Sequence, residues 1–233
     1  MPKLKPRLRM AAELVRDGVR IADIGTDHAY LPAALILEGR ITGAVAADLR
    51  KGPLENAAQT VRANGLTDRI SLRLSDGLAN VSAGEADDIV IAGMGGILIA
   101  EILGACPFLK DGSKRYILQP QSHSEELRAF LWSSGFRIFG ESACFEDEKV
   151  YIAFCAEYVG EAAAHSDAEI YFGGYYKRTD EPSKAFTAKK SEHLRVKAEA
   201  LLKSGADPDE AERLTRIINE VKSWQEQPIF TNT

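Results

Sequence analysis

Three apolar runs in this chain of 233 residues each end on a carboxylate. The first, Arg20-Ile-Ala-Asp-Ile-Gly-Thr-Asp-His-Ala-Tyr-Leu-Pro32, carries Asp23 and continues through Gly25 and Asp27; the second stops at Asp48 and the third at Asp76-Gly77. A fourth run, from Asp88 to Ala92, passes into Gly93-Met-Gly-Gly96, which contains Met94. The carboxyl ends of parallel strands are where an open α/β sheet binds ligands. A carboxylate closing the second strand, about 20 residues past the first turn, accepts hydrogen bonds from ribose hydroxyls. Side chains able to meet a second molecule lie on the same loops. His28 can take a proton or satisfy backbone groups, Tyr30 can stack on a base or wall a cofactor, and the amides of Gln119 and Gln121 can pair with a base edge.

A dinucleotide would need glycines in the first turn for close approach to its pyrophosphate, and here Thr26, His28 and Tyr30 stand instead. No GxGxxG string and no Gly-rich lysine loop occurs. A cofactor with a ribose but no phosphate fits better. S-adenosylmethionine is one: its ammonium can meet Asp23 or Asp27, its ribose Asp48 and its adenine amine Asp76, so the acids follow the strands in order. Gly-Met-Gly-Gly after the fourth run offers no acceptor side chain for the protons of an exocyclic amine. A ring nitrogen is therefore the better nucleophile.

The elements that must hold these residues follow from periodicity and punctuation. Apolar spacing predicts a helix over 4–15, a strand over 19–24, a helix over 31–38, a strand over 41–47 and a helix over 53–63 stopped by Asn64-Gly65. Strands follow over 70–74 and 88–92, a helix over 97–103, a strand over 115–118 with a terminal loop at 119–121, and a helix over 124–132 with Ser124 as N-cap. Two long strands, 136–145 and 150–158, should close the sheet as an antiparallel hairpin. Composition shifts at 160–179, where a domain boundary is expected. Beyond it, helices over 183–204 and 207–224 should form an antiparallel pair whose stripe is Leu214, Ile217, Ile218, Val221 and Trp224.

Hydrophobic residues make up 45% of the chain, enough for a full core, and no run of about 18 apolar residues could span a bilayer. The amino-terminal stretch lacks a signal peptide's apolar core, so a cytoplasmic location is expected. Cys106, Cys144 and Cys155 show no CxxC spacing, so neither a disulfide framework nor a metal site is expected. Against a net charge of −5, two segments are basic: Lys3, Lys5, Arg7 and Arg9, and then Lys177, Arg178, Lys184, Lys189, Lys190, Arg195, Lys197 and Lys203. They are either RNA-gripping ends or solvated helix faces.

The strings Asp23-Ile-Gly-Thr-Asp-His-Ala-Tyr-Leu-Pro32, Gly93-Met-Gly-Gly96 and Leu118-Gln-Pro120 resemble those of the bacterial TrmK family, the tRNA (adenine(22)-N1)-methyltransferases, over most of the chain. The resemblance implies a class I, Rossmann-like methyltransferase fold: a seven-stranded mixed sheet over residues 1–160, followed by a linker and a helical coiled-coil hairpin over 161–233 that docks tRNA. It implies S-adenosylmethionine contacts from Asp23, Gly25, Asp27, Asp48, Asp76, Gly77, Gly93 and Met94, and a base pocket from His28, Tyr30, Gln119 and Pro120. Gln121 stands where the family pattern often has Asn. The expected activity is methylation of N1 of adenosine 22 in the D-arm region of tRNA by a monomer. A non-catalytic RNA-binding adaptor, or a methyltransferase for another RNA position or a small molecule, are the alternatives.

Overall fold

The computed structural model describes residues 2–226; the ends of both expected domains, Met1 and 227–233, lie outside the described residues. The chain divides into two compact units, Met1–Ala164 and His165–Thr233.

In the first unit seven strands form one sheet in the order β3-β2-β1-β4-β5-β7-β6. They are β1 (Arg20–Ile24), β2 (Gly43–Asp48), β3 (Ile70–Leu74), β4 (Asp88–Met94), β5 (Arg115–Pro120), β6 (Phe136–Glu146) and β7 (Lys149–Tyr158). The first five run parallel, whereas β7 pairs antiparallel to both β5 and β6. The chain reverses from β1 outward through β2 and β3, then returns to β4 on the other side of β1. That reversal opens a crevice at the carboxyl ends of β1 and β4.

Strand alternation sorts the core into two layers. Ile21, Ala44, Ala46, Val90 and Ile117 face α1 (Pro6–Glu13), α2 (Tyr30–Leu37) and α3 (Lys51–Ala63). Ala22, Ile24, Val45, Ile89, Ile91 and Leu118 face α4 (Gly96–Gly104) and α5 (Ser124–Ser133). Strands buried on both faces read as continuous apolar runs, as these do. α2 is likewise apolar around most of its circumference, and Leu35 in it is fully buried. Burial of such a side chain contributes about 1.5–3 kcal/mol.

Two local features differ from expectation. Gln119 and Pro120 belong to β5 and not to a terminal loop, since Pro120 pairs with Met94. The amide of Gln121 donates to Met94 O, so the position of the missing Pro120 N–H faces the β7 side, where the β5–β7 pairing runs from Tyr116 to Leu118 and does not reach Pro120. Proline is tolerated at such an unpaired edge. Ser124 is the first residue of α5, not its cap. The cap is His123 in the left-handed region at φ 53°, and Ser122 O accepts the amide of Gly96 at 2.7 Å.

The second unit contains α6 (Asp167–Phe172), a 3-10 turn at Tyr175–Lys177, α7 (Glu181–Ser204) and α8 (Pro208–Gln225). α6 falls where only a linker was expected. Ser166 accepts from Glu169 N while Glu169 accepts from Ser166 N, a reciprocal cap spelled out by Ser166-x-x-Glu169. Leu194 and Ala198 of α7 pack with Leu214, Ile217, Ile218 and Val221 of α8, and Lys197 Nζ lies 3.1 Å from Glu210. Trp224, the last residue of the expected stripe, is 42% exposed and meets Tyr176 edge-on. Among the described residues no helix is long and apolar enough to cross a membrane, and no cluster of three or more His, Cys, Asp or Glu is placed to hold a metal ion.

Candidate active site

At the carboxyl edge of β1 and β4 lies a cleft of about 520 Å³ whose lining includes Asp23, Gly25, Asp27, His28, Tyr30, Gly93 and Gln121. Its floor is the turn after β1. The amides of Gly25 and Thr26 both donate to Ala47 O, at 2.8 and 3.0 Å, which folds the turn against the end of β2. Gly25 has φ +76°, a conformation that side chains with Cβ adopt at a cost, and its Cα face is covered by Met94: an added Cβ would stand 2.0 Å from Met94 Cε. Thr26 Oγ1 accepts the amide of Ala29, itself left-handed at φ 52°, and so launches α2.

Asp23 is 8% exposed, and among the described residues no cation pairs with it. Burial pushes its carboxyl up to about 6, against a hydrogen bond with Thr26 that favours the ionised form. Asp88, fully buried at the other end of the sheet, makes the contrast: Arg16 grips it through Nε at 2.7 Å and through its backbone amide at 2.9 Å. Asp88 is therefore structural, while Asp23 is a buried anion suited to a cationic ligand group.

The cleft's second wall carries rings. His28 and Tyr30 stack with centroids 4.8 Å apart and planes 8° apart, and His28 Nε2 lies 3.3 Å from Asp27. Tyr30 is 41% exposed, leaving aromatic surface for a further ring.

Other expected residues are positioned differently. Asp48 ends β2 beside the turn, with Oδ1 accepting from Arg50 N at 2.8 Å. Asp76 is exposed on the loop after β3, and Gly77, φ +51°, packs so closely on α4 that an added Cβ would meet Ile102 at 2.8 Å. None of these three lines the cleft beside His28 and Tyr30. Gln119 is fully buried behind it. Its Oε1 accepts from Gly93 N at 3.0 Å and from Arg7 Nη1 at 3.3 Å, and its Nε2 donates to Pro120 O. Gly93 sits at the register shift in β4, so this amide supplies the acceptor that the bulge removes from the ladder. Gln119 thus holds the loop, and exposed Gln121 is the amide facing the cleft.

Sequence reasoning missed a third wall. Lys5, Arg7, Leu8 and Glu146 also line the cleft. Arg7 N donates to Glu146 Oε2 at 2.9 Å and its guanidinium lies over Tyr151, which ties α1 to the β6–β7 turn. Amphipathicity placed α1 on the sheet, but no local signal turns Arg7 toward residues more than a hundred positions away.

The strand order, the terminal hairpin and a ligand cleft at the switch point define a Rossmann-like methyltransferase, and the methyltransferase-domain family model matches residues 4–154. The tRNA (adenine(22)-N(1))-methyltransferase of Bacillus subtilis is 40% identical over 171 residues, 73% of this chain and 72% of that protein. The chain belongs to the tRNA (adenine(22)-N1)-methyltransferase family. The crystal structure of the B. subtilis m1A22 tRNA methyltransferase TrmK superposes with a TM-score of 0.84 at 31% identity, covering 97% of this chain and 100% of that one. A Streptococcus pneumoniae protein solved in complex with S-adenosyl-L-methionine gives 0.77 at 32% identity, covering 96% and 100%.

Proposed function

We propose that this chain is an S-adenosylmethionine-dependent methyltransferase acting on N1 of adenosine 22 of tRNA, the reaction named for its B. subtilis relative. The observation that carries the reading is one cleft holding both a buried carboxylate with no paired cation among the described residues, Asp23, and a stacked ring pair, His28 and Tyr30. The first suits the cofactor's ammonium and the second a purine.

The residues present fit the cofactor. Asp23, with Asp27 at the rim, would hold the ammonium, Gly25 would meet the cofactor through its backbone, and Asp48 would accept from the ribose. Asp76 and Gly77 would meet the adenine, and Gly93 and Met94 would close the site beside the reactive sulfur. When bound, S-adenosylmethionine supplies a methyl group on a sulfonium leaving group.

Adenine N1 brings a lone pair, forms the new bond to carbon while the carbon–sulfur pair departs with sulfur, and leaves the base cationic. No proton need be removed before attack, so alignment does most of the work. Tyr30 and His28 would stack the base, Gln121 would meet its edge, and Gln119 would position the Gly93 loop. His28 remains the side chain closest to a base role. A paired adenosine must leave its helix at a cost of a few kcal/mol, and phosphate contacts offset that.

In this reading residues 1–160 carry out transfer and 161–233 dock the tRNA, as a monomer in the cytoplasm. Pairing within the helical unit narrows the docking surface. Arg195 is held by Glu192 and Glu199, Lys184 by Glu181, Lys197 by Glu210 and Arg178 by Asp180. Lys189 and Lys203 are exposed and have no ion pair among the described residues, so they are the first candidates for phosphate contacts. The test is methyl transfer to unmodified tRNA transcripts carrying adenosine or guanosine at position 22. Transfer to the first alone is expected; equal transfer to both would overturn the assignment.

A further inference from the structure

Behind Tyr30 the surface opens into a second cavity, a groove of about 560 Å³ whose lining includes Lys3, Tyr30, Gln59, Thr60 and Asn64. Its size falls in the range of small-ligand sites. Tyr30 is the wall common to this groove and the cleft of the candidate active site. The two cavities adjoin at Tyr30, so a nucleic acid strand whose base enters the cleft has this groove directly beside it.

The groove's chemistry suits a nucleotide. Gln59 is exposed and presents an amide with both donor and acceptor. Asn64 spends its Nδ2 on Thr60 O at 2.8 Å, which leaves its carbonyl oxygen as an acceptor. Cations lie along the same path. Of the four amino-terminal basic residues, Arg9 is clamped by Glu38 at 2.6 and 2.9 Å and Arg7 is engaged with Gln119 and Glu146. Lys3 lines the groove without an ion pair among the described residues. Among the described residues the one ion pair of Lys5, which lines the cleft, is a 3.9 Å contact to Asp147, both side chains being largely exposed. Each cavity therefore has one lysine whose charge is little neutralised by the protein.

We propose that this groove seats the nucleotide adjoining the target adenosine in the RNA, with Gln59 reading its base edge and Lys3 holding its phosphate. The assignment rests on the tRNA reading above and adds a sequence-reading subsite to it.

The test uses the full chain, saturating S-adenosylmethionine and an unmodified tRNA transcript. Gln59→Ala should lower kcat/KM about tenfold, the loss of roughly one well-placed contact, through KM with kcat nearly unchanged. Lys3→Ala should reduce the salt slope of log KM by about one. Replacing the nucleotide beside the target should change kcat/KM for the wild type and much less for Gln59→Ala. Both side chains are exposed, and thermal melting with and without cofactor confirms intact folding of each variant. Unchanged KM and salt slope, or a loss confined to kcat, would overturn the groove assignment while leaving the tRNA reading in place. A wild type that binds cofactor but methylates no tRNA would overturn the reading and the groove with it.

Discussion

The imidazole of His28 lies parallel to the ring of Tyr30 at 4.8 Å, with Asp27 3.3 Å beyond its Nε2. Two side chains of the turn after β1 and the first of α2 thus form a row of carboxylate, imidazole and phenol along the cleft. Tyr30→Ala should lower kcat/KM for tRNA by one to two orders of magnitude, since base–aromatic stacking contributes about 1–3 kcal/mol. Tyr30→Phe should keep most of it. Cofactor affinity by calorimetry should stay close to wild type in both; a matching loss of cofactor binding would place Tyr30 on the cofactor's side of the cleft. His28→Ala combined with Tyr30→Ala should lose less than the sum of the two, because each ring supports the other.

Asp23 ties stability and binding to pH. Its folded carboxyl titrates near 6, above the ordinary value of 3.8. The native state therefore holds this proton more tightly than the unfolded chain, and the associated stability is complete below about pH 4 and lost as pH rises through 6. Ionised Asp23 at pH 8 costs roughly 3 kcal/mol in the free protein. Asp23→Asn should raise the melting temperature at pH 8 while removing the stabilisation given by cofactor. In the wild type cofactor affinity should increase about tenfold from pH 5 to pH 7 as the carboxyl ionises to meet the ammonium. A flat profile would remove Asp23 from the ammonium site.

Two glycines should be destabilised by alanine to different degrees. Gly25 has φ +76° but its added Cβ would meet the end of the unbranched Met94 side chain, which can change rotamer, so Gly25→Ala should cost roughly 1–2 kcal/mol and chiefly impair cofactor binding. Gly96 has no positive φ, yet its Cβ would stand 2.1 Å from the carbonyl oxygen of His123, a backbone atom. Gly96→Ala should be the more destabilising, by more than about 3 kcal/mol in urea titration. The reverse ranking would contradict the packing described.

The two glutamines separate in the same manner. Gln119→Ala leaves Gly93 N–H and Arg7 without their acceptor and should destabilise by about 1–3 kcal/mol, lowering kcat with it. Gln121→Ala, at an exposed position, should leave the melting temperature unchanged and raise KM for tRNA. Equal stability effects would undo this division.

These residues also mark how far the sequence could be read. The placement of Asp23 in β1, of Asp48 at the end of β2 and of Asp76 just past β3 was legible because parallel strands announce themselves as apolar runs. The burial of Gln119 was not, since it answers a bulge at Gly93 that appears only once β4 and β5 pair. Arg7 and Glu146 meet 139 residues apart, beyond any local pattern. The cap at His123 was hidden because the left-handed residue is neither Gly nor Asn, and Ser124 beside it offered the commoner signal. α6 is different: its Ser166-x-x-Glu169 box stands in the sequence, but within a stretch of small polar residues that reads as a linker.

Transfer to a ring nitrogen of adenine follows from a cleft where β4 runs into Gly93-Met-Gly-Gly96, which offers no acceptor side chain for an amine proton. Nucleoside mass spectrometry of tRNA methylated by the purified protein distinguishes the ring nitrogen from the exocyclic amine. 1-Methyladenosine should appear as the single new nucleoside, located at position 22. N6-methyladenosine, or methyl on any other base, would rule this reaction out.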